Sequence, residues 1–104
     1  MASPYVPQNS NSSGVTLGYG FDLGQQTIAT MRATISDFYT EQQLSRLEAA
    51  IGFTGQKAKD LLSGISDIKI SKNDATILAM KMKAKYAQIV VDTYPEVLNA
   101  HPHS

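Results

Sequence analysis

The residues whose types and spacing point most directly to chemistry lie in one glycine-rich segment, residues 14–24. This segment holds four of the seven glycines of the 104-residue chain, with one aliphatic hydroxyl side chain, Thr16, and one carboxylate, Asp22. In a straight strand Thr16 and Asp22 would share a face but lie roughly 20 Å apart, too far to act on one substrate atom. Because glycine adopts positive φ angles without strain, Gly18 and Gly20 predict a chain reversal between them. Thr16 and Asp22 then become facing neighbours with Cβ atoms roughly 5 Å apart, which predicts a small polar site near the hairpin tip.

The same segment also suits a structural role. Asp22 is a good helix N-cap, and Gln25, three residues later, is placed to complete a capping box. Spacing alone does not separate capping from chemistry, and the two roles are compatible. The alternation of side chains along a strand further predicts one apolar face, made of Val15, Leu17, Tyr19 and Phe21.

Longer stretches around this segment resemble a known family. Residues 5–7 read Tyr-Val-Pro, a Ser/Asn-rich stretch follows, and residues 13–25 read Ser-Gly-Val-Thr-Leu-Gly-Tyr-Gly-Phe-Asp-Leu-Gly-Gln. This order resembles the pesticin-type branch of the bacteriophage lysozyme superfamily, whose domains occur in phage endolysins and bacteria-killing toxins. The resemblance implies an α+β, mainly α, lysozyme-like fold with a small β-hairpin and about four to five helices. It also implies a muramidase that cleaves the glycan strand of peptidoglycan and is bacteriolytic.

The resemblance implies catalytic roles for Thr16 and Asp22, which match the family's threonine and aspartate. Cleavage of a glycosidic bond normally takes one carboxylic acid that protonates the leaving oxygen and a second carboxylate that activates water or attacks the sugar. Asp22 would be the second carboxylate, and Thr16 would hold the water by a hydrogen bond. These roles suit an inverting reaction, which needs room for water between the two carboxyls.

The sequence departs from the family at the general acid. The family carries a catalytic glutamate on a helix upstream of the Tyr-Val-Pro stretch, whereas residues 1–21 contain no Asp or Glu. Glu41 and Glu48 are the nearest glutamates downstream, but the helical pattern places both on the solvent side. The family also continues with further helices beyond the position of Ser104. We therefore expect this chain to be part of a larger enzyme and to have little activity without the upstream acid.

The elements expected to position the hairpin form a single, partial lysozyme-like domain over residues 1–104. It divides into a loop leader at 1–13, the hairpin motif at 14–24 and a helical body at 25–100. The prolines and the polar run of the leader exclude a helix there. Tyr5 and Val6 could pin the leader to the body. Two interpretations stay open, a flexible leader or linker and, as the resemblance implies, a surface loop that enters the active-site lobe.

Apolar periodicity and capping signals predict the helices of the body. The first helix lies within residues 25–35 and is capped by Asp22. The second is opened by Thr40 with Gln43 and stopped by Gly52, and the third runs from Thr54 to Gly64. The fourth is opened by Ser71 with Asp74 and runs to about Tyr94. Residues 65–70 are expected to be irregular, and Glu96 to Leu98 could begin a further helix. The longest helix should be buried on more than one side, because Ala79, Met80 and Val90 widen its apolar stripe. The stripe itself consists of Ala75, Leu78, Met82, Tyr86, Ile89 and Thr93.

Composition excludes several classes of protein. Nine basic and nine acidic residues cancel, which argues against a nucleic-acid partner. There is no cysteine for a disulfide or a thiolate metal site. No apolar run is long enough to span a bilayer, and no signal pattern opens the chain. Lys81, Lys83 and Lys85 could face an anionic glycan but do not share one helix face, so solvent exposure is the simpler interpretation.

We expect no cofactor and no metal site. His101 and His103 are two residues apart near a chain end without an acidic neighbour or cysteine, which does not favour a metal site. The expected partner is the peptidoglycan glycan strand, with no nucleic acid and no membrane insertion. An inhibitor or immunity protein is not indicated either way. Such an enzyme acts in the bacterial periplasm or cell wall after secretion, injection or phage release.

Two alternatives of other classes remain open from the sequence. One is a non-catalytic glycan-binding or structural module derived from the lysozyme fold, which the missing acid favours. The other is a small helical interaction domain in which Asp22 serves only as a cap.

Overall fold

The computed structural model describes residues 1–8 and 12–93. Within them the chain forms a two-stranded antiparallel hairpin followed by four α-helices, the mainly α, α+β architecture that the sequence predicts. In chain order the elements are β1 (Thr16–Leu17), β2 (Phe21–Asp22), a 3₁₀ turn (Leu23–Gln25), α1 (Ile28–Ile35), α2 (Glu41–Leu47), a second 3₁₀ turn (Glu48–Ala50), α3 (Gly55–Leu62) and α4 (Lys72–Thr93).

The predicted chain reversal is confirmed. Thr16 pairs with Asp22 across the two strands, and Gly18 and Gly20 between them have φ angles of 57° and 149°. Both angles lie in the region that side chains with a Cβ rarely adopt, so glycine is required at this turn. The predicted apolar face is correct except at Tyr19, which sits at the tip and is 62% exposed.

The N-terminal segment is pinned to the body rather than free. Tyr5 and Thr16 form an antiparallel bridge with N···O distances of 3.1 and 2.6 Å. A second bridge joins Ala2 to Ile70, with distances of 2.8 and 3.0 Å. The described part of the leader therefore extends the small sheet beside β1, which agrees with the reading of a pinned surface loop.

The expected start of the first helix is wrong. Asp22 does cap a turn, but only the 3₁₀ turn Leu23–Gln25, and the Gln25 side chain bonds to the Ser12 carbonyl instead of completing a capping box. The helix α1 has its own cap, in which Thr27 and Thr30 satisfy each other's backbone N–H groups. The Asp22 carboxylate accepts the N–H of Gly24 within the 3₁₀ turn, whereas Thr27 directly precedes α1 and accepts the N–H of Thr30.

Later capping signals are borne out. Thr40 and Gln43 form the predicted capping box at α2. The expected stop at Gly52 is too late, because α2 ends at Leu47 and a 3₁₀ turn follows before Gly52, whose φ is 80°. The Ser71 hydroxyl accepts the backbone N–H of Asp74 at the start of α4. The helices enclose a core that includes Met31, Ile35, Leu44, Leu47, Ile68 and Leu78.

The longest helix is less buried than its pattern predicts. Ala75 and Leu78 are buried, and Met82 packs partly against the core. One turn further on, Tyr86 is 65% exposed and Ile89 is 49% exposed. The apolar stripe therefore continues past the residues that cover it, and its second half lines an open groove.

Two glycines of the motif are needed for close packing rather than for backbone conformation. A Cβ on Gly14 would lie 2.4 Å from the carbonyl oxygen of Phe53, and a Cβ on Gly24 would lie 2.8 Å from the same oxygen. The connection between α2 and α3 thus rests directly on the two ends of the motif. Any side chain larger than hydrogen would push this connection away.

Gly24→Ala should destabilise the protein by about 1–3 kcal/mol, because its methyl group would meet Phe53 and Thr54 at 2.8 Å. Urea denaturation measures the loss. Gly64→Ala is the matched control, since its Cβ would lie 3.6 Å from the nearest heavy atom, and it should be neutral or slightly stabilising. Equal stability of the two variants would contradict the packing role of Gly24.

The buried Tyr39 side chain should make the free energy of unfolding decrease at alkaline pH. Burial, with a smaller contribution from Asp74, raises the pKa of Tyr39 to about 12 from an ordinary value of 10.0. The unfolded chain therefore releases this proton first, so stability is intact below pH 10 and falls as pH rises toward 12. Tyr39→Phe should flatten this fall in urea titrations across that range. A Phe variant with the wild-type pH profile would contradict it.

Candidate active site

The carboxylate of Asp22 is held by two backbone groups. One of its oxygens, Oδ1, accepts the N–H of Gly14 at 2.9 Å and the N–H of Gly24 at 2.8 Å. These donors stand at the two ends of the motif, so a single oxygen ties the ends together. The side chain is only partly buried, and its second oxygen has no hydrogen-bond partner among the described residues. A carboxylate fixed in this way can still accept a hydrogen bond from water or a ligand.

Thr16 lies opposite Asp22 and contacts the same glycine. Its hydroxyl donates to the Gly14 carbonyl at 3.1 Å, and the residue is only 4% exposed. The side chains of Thr16 and Asp22 thus converge on Gly14, one on its carbonyl and one on its N–H. Within the described residues no hydrogen bond joins the two side chains directly.

Neighbouring backbone bonds make this arrangement rigid. The N–H of Leu23 donates to the Val15 carbonyl at 2.8 Å, and the Leu23 carbonyl accepts from Gly52 at 3.1 Å. The N–H of Gly55 donates to the Ser13 carbonyl at 3.1 Å. The connection between α2 and α3 is therefore hydrogen-bonded to the chain before Thr16 and to the chain after Asp22.

The two glutamates considered as substitutes for the missing acid are ion-paired. Arg32 on α1 donates to Glu41 at 2.8 Å and to Glu48 at 2.7 Å. The guanidinium holds the pKa of the Glu41 carboxyl below its usual value, and these hydrogen bonds raise the pKa of Arg32. A general acid needs the opposite, a raised pKa that keeps its proton near neutral pH. Neither the geometry nor the charge environment favours Glu41 as the acid.

A groove that the sequence analysis did not identify lies between α1 and the second half of α4. Its volume is about 560 Å³, within the range of small-molecule sites. Phe21 reaches it from β2, and adjacent strand residues point to opposite faces, so it lies on the other side of the strand from Asp22. Only the exposed end of the α4 stripe could have indicated it, because its walls come from segments far apart in sequence.

The lysines of α4 have different roles. Lys81 donates to the Thr34 carbonyl at 2.7 Å and lies 5.5 Å from the centre of the Phe38 ring. It therefore caps the end of α1 and is not simply solvated. Lys85 lines the groove, whereas Lys83 is exposed outside it.

No cluster of three or more potential metal ligands occurs among residues 1–8 and 12–93. Within the same residues no helix combines the length and apolar character needed to cross a membrane. The histidines at 101 and 103, and the helix start expected at Glu96, lie outside the described residues.

A mainly helical body that holds a polar glycine-rich hairpin defines a lysozyme-like class of domain. Residues 1–103 match the family described as "Pesticin: Bacterial toxin homologue of phage lysozyme, C-term". Because the match covers nearly the whole chain, the protein belongs to this family, and the lysozyme-like fold expected from the motif is confirmed. No curated protein and no solved structure matches the chain.

Asp22→Asn should fold with nearly wild-type stability, because Asn retains the oxygen that accepts from Gly14 and Gly24. Asp22→Ala should lose about 2 kcal/mol in urea denaturation, since it leaves both N–H groups without this partner. If Asn and Ala variants were equally destabilised, the two-donor role of Oδ1 would be wrong.

Proposed function

We propose that this chain is a peptidoglycan-cleaving glycoside hydrolase domain of the muramidase type. The observation that carries the proposal is the convergence of Thr16 and Asp22 on Gly14, in a chain that matches a family of phage lysozyme homologues. The fold holds one carboxylate at a fixed position with an oxygen free for a ligand. This is the property that a glycosidase needs in its second carboxylate.

Through its second oxygen Asp22 would either take a proton from the attacking water or itself attack the sugar carbon. The first oxygen is committed to two backbone donors, so the carboxylate cannot rotate freely. A fixed orientation favours the reaction because the reacting atoms need not be ordered at the moment of attack.

Thr16 is proposed as a positioning residue as well as the water-holding group that the resemblance implies. Its hydroxyl is buried and already donates to Gly14, the residue whose N–H holds Asp22. Loss of this hydroxyl would let Gly14 move and would misplace the carboxylate. A free lone pair on the same oxygen could accept a hydrogen from the attacking water.

The partner acid is not provided by the Arg32 cluster, whose glutamates are ion-paired. By resemblance the partner acid would be a further glutamate, and activity is best tested in the complete gene product. The proposed place of action is the bacterial cell wall, reached by secretion, injection or phage release.

A non-catalytic glycan-binding module is the second candidate. One observation favours it. Both glutamates within the described residues are paired with Arg32, so this part of the chain has no unpaired glutamate that could serve as the general acid beside Asp22. This candidate predicts binding of glycan strands without release of reducing ends.

In the complete gene product, Asp22→Asn should lower the release of reducing ends from purified peptidoglycan at least about 100-fold, since it removes the base but keeps the fold. Thr16→Val should lower kcat, and Thr16→Ser should restore most of it by returning the hydroxyl. Asp60→Asn, which changes an exposed carboxylate on α3, is the control variant and should keep activity. A folded Asp22→Asn enzyme with wild-type turnover would refute the proposal.

A further inference from the structure

The groove between α1 and α4 has an unbalanced charge. Lys81 and Lys85 are the charged side chains that line it, and no carboxylate does so among the described residues. Lys81 is committed to the Thr34 carbonyl, whereas Lys85 makes no hydrogen bond or ion pair within the described part of the chain. The groove therefore offers one unpaired cation to a ligand, which favours an anionic one.

Two other side chains in the groove suit a sugar. The Gln26 carbonyl oxygen accepts the Thr30 hydroxyl at 2.9 Å, which leaves the amide N–H groups of Gln26 to donate elsewhere. Tyr86 is 65% exposed and lines the groove together with Phe21. An aromatic face packs well against the apolar face of a pyranose, and an amide donor suits an acetamido carbonyl.

We propose that this groove binds an anionic, N-acetylated saccharide segment, with a sugar on Tyr86, an acetamido carbonyl on Gln26 and a carboxylate on Lys85. The inference rests on the proposed function, because peptidoglycan is the polymer that carries all three groups. Phe21 and Asp22 are neighbours on β2 but point to opposite faces, so the groove would hold a part of the glycan strand on the face away from the unit at Asp22.

A second copy of the chain fits the groove less well. The apolar side chains exposed along this part of α4 are Tyr86, Ile89 and Val90, at 65%, 49% and 44%. These three side chains offer roughly 300 Å² of apolar surface, so a stable interface of roughly 800 Å² per partner would have to extend well beyond the groove. The unpaired Lys85 would also face a like charge wherever two symmetric copies brought the same helix turns together.

The test measures binding by NMR titration, with Asp22→Asn present throughout to prevent cleavage. The probes are a soluble peptidoglycan tetrasaccharide with free carboxylates and a neutral N-acetylglucosamine tetrasaccharide. Lys85→Gln should weaken binding of the acidic probe about 3-fold and leave the neutral probe unchanged. Tyr86→Leu should weaken both about 3- to 10-fold. Lys83→Gln, two residues from Lys85 but outside the groove, is the matched control and should bind like its parent.

Several outcomes would overturn the proposal. Unchanged affinity in both Lys85→Gln and Tyr86→Leu would exclude the groove as the site. If Lys83→Gln weakened binding of the acidic probe as much as Lys85→Gln, the effect would come from the overall charge of the protein and not from the groove. Sedimentation showing self-association that Tyr86→Leu abolishes would identify a dimer interface instead. If acidic fragments bind as expected but the complete gene product releases no reducing ends, the groove assignment holds and the proposed activity fails.

Discussion

The two hydrogen bonds to a single oxygen of Asp22 are the constraint on which the rest of the site depends. They join Gly14 and Gly24, the ends of the glycine-rich motif, and so close the hairpin at its base. The Phe53 carbonyl rests against both glycines, which leaves no room for a Cβ at either position. The capping role and the chemical role of the carboxylate are thus compatible, because one oxygen closes the motif while the other remains available to a ligand.

The helical body matters to the site chiefly through the connection between α2 and α3. Backbone bonds from Gly52 and Gly55 reach the carbonyls of Leu23 and Ser13, on either side of the hairpin. Arg32 on α1 forms ion pairs with Glu41 on α2 and with Glu48, which begins this connection. Because backbone hydrogen bonds join this connection to both sides of the hairpin, a shift of the connection would move Asp22.

Local sequence signals predicted the local structure well. The reversal at Gly18 and Gly20 and the capping box at Thr40 depend on residues close in sequence, and both are confirmed. The start of α1 depends on which of several polar side chains caps it, and the burial of α4 depends on which other segments pack against it. A local sequence pattern contains neither kind of information. The groove was missed for the same reason, since its walls combine residues 21–34 with residues 81–89.

The carboxylates of the described chain differ in the kind of donor that holds them, and this difference supports the choice of Asp22. Glu41, Glu48 and Asp67 accept from arginines, which favour the ionised carboxylate and occupy its oxygens with mobile side chains. Asp22 accepts from two backbone N–H groups fixed by the fold. A backbone donor cannot swing away, so it defines the direction of the remaining oxygen more tightly than an arginine does. Orientation of this kind is a requirement of a catalytic carboxylate and is unnecessary for a surface ion pair.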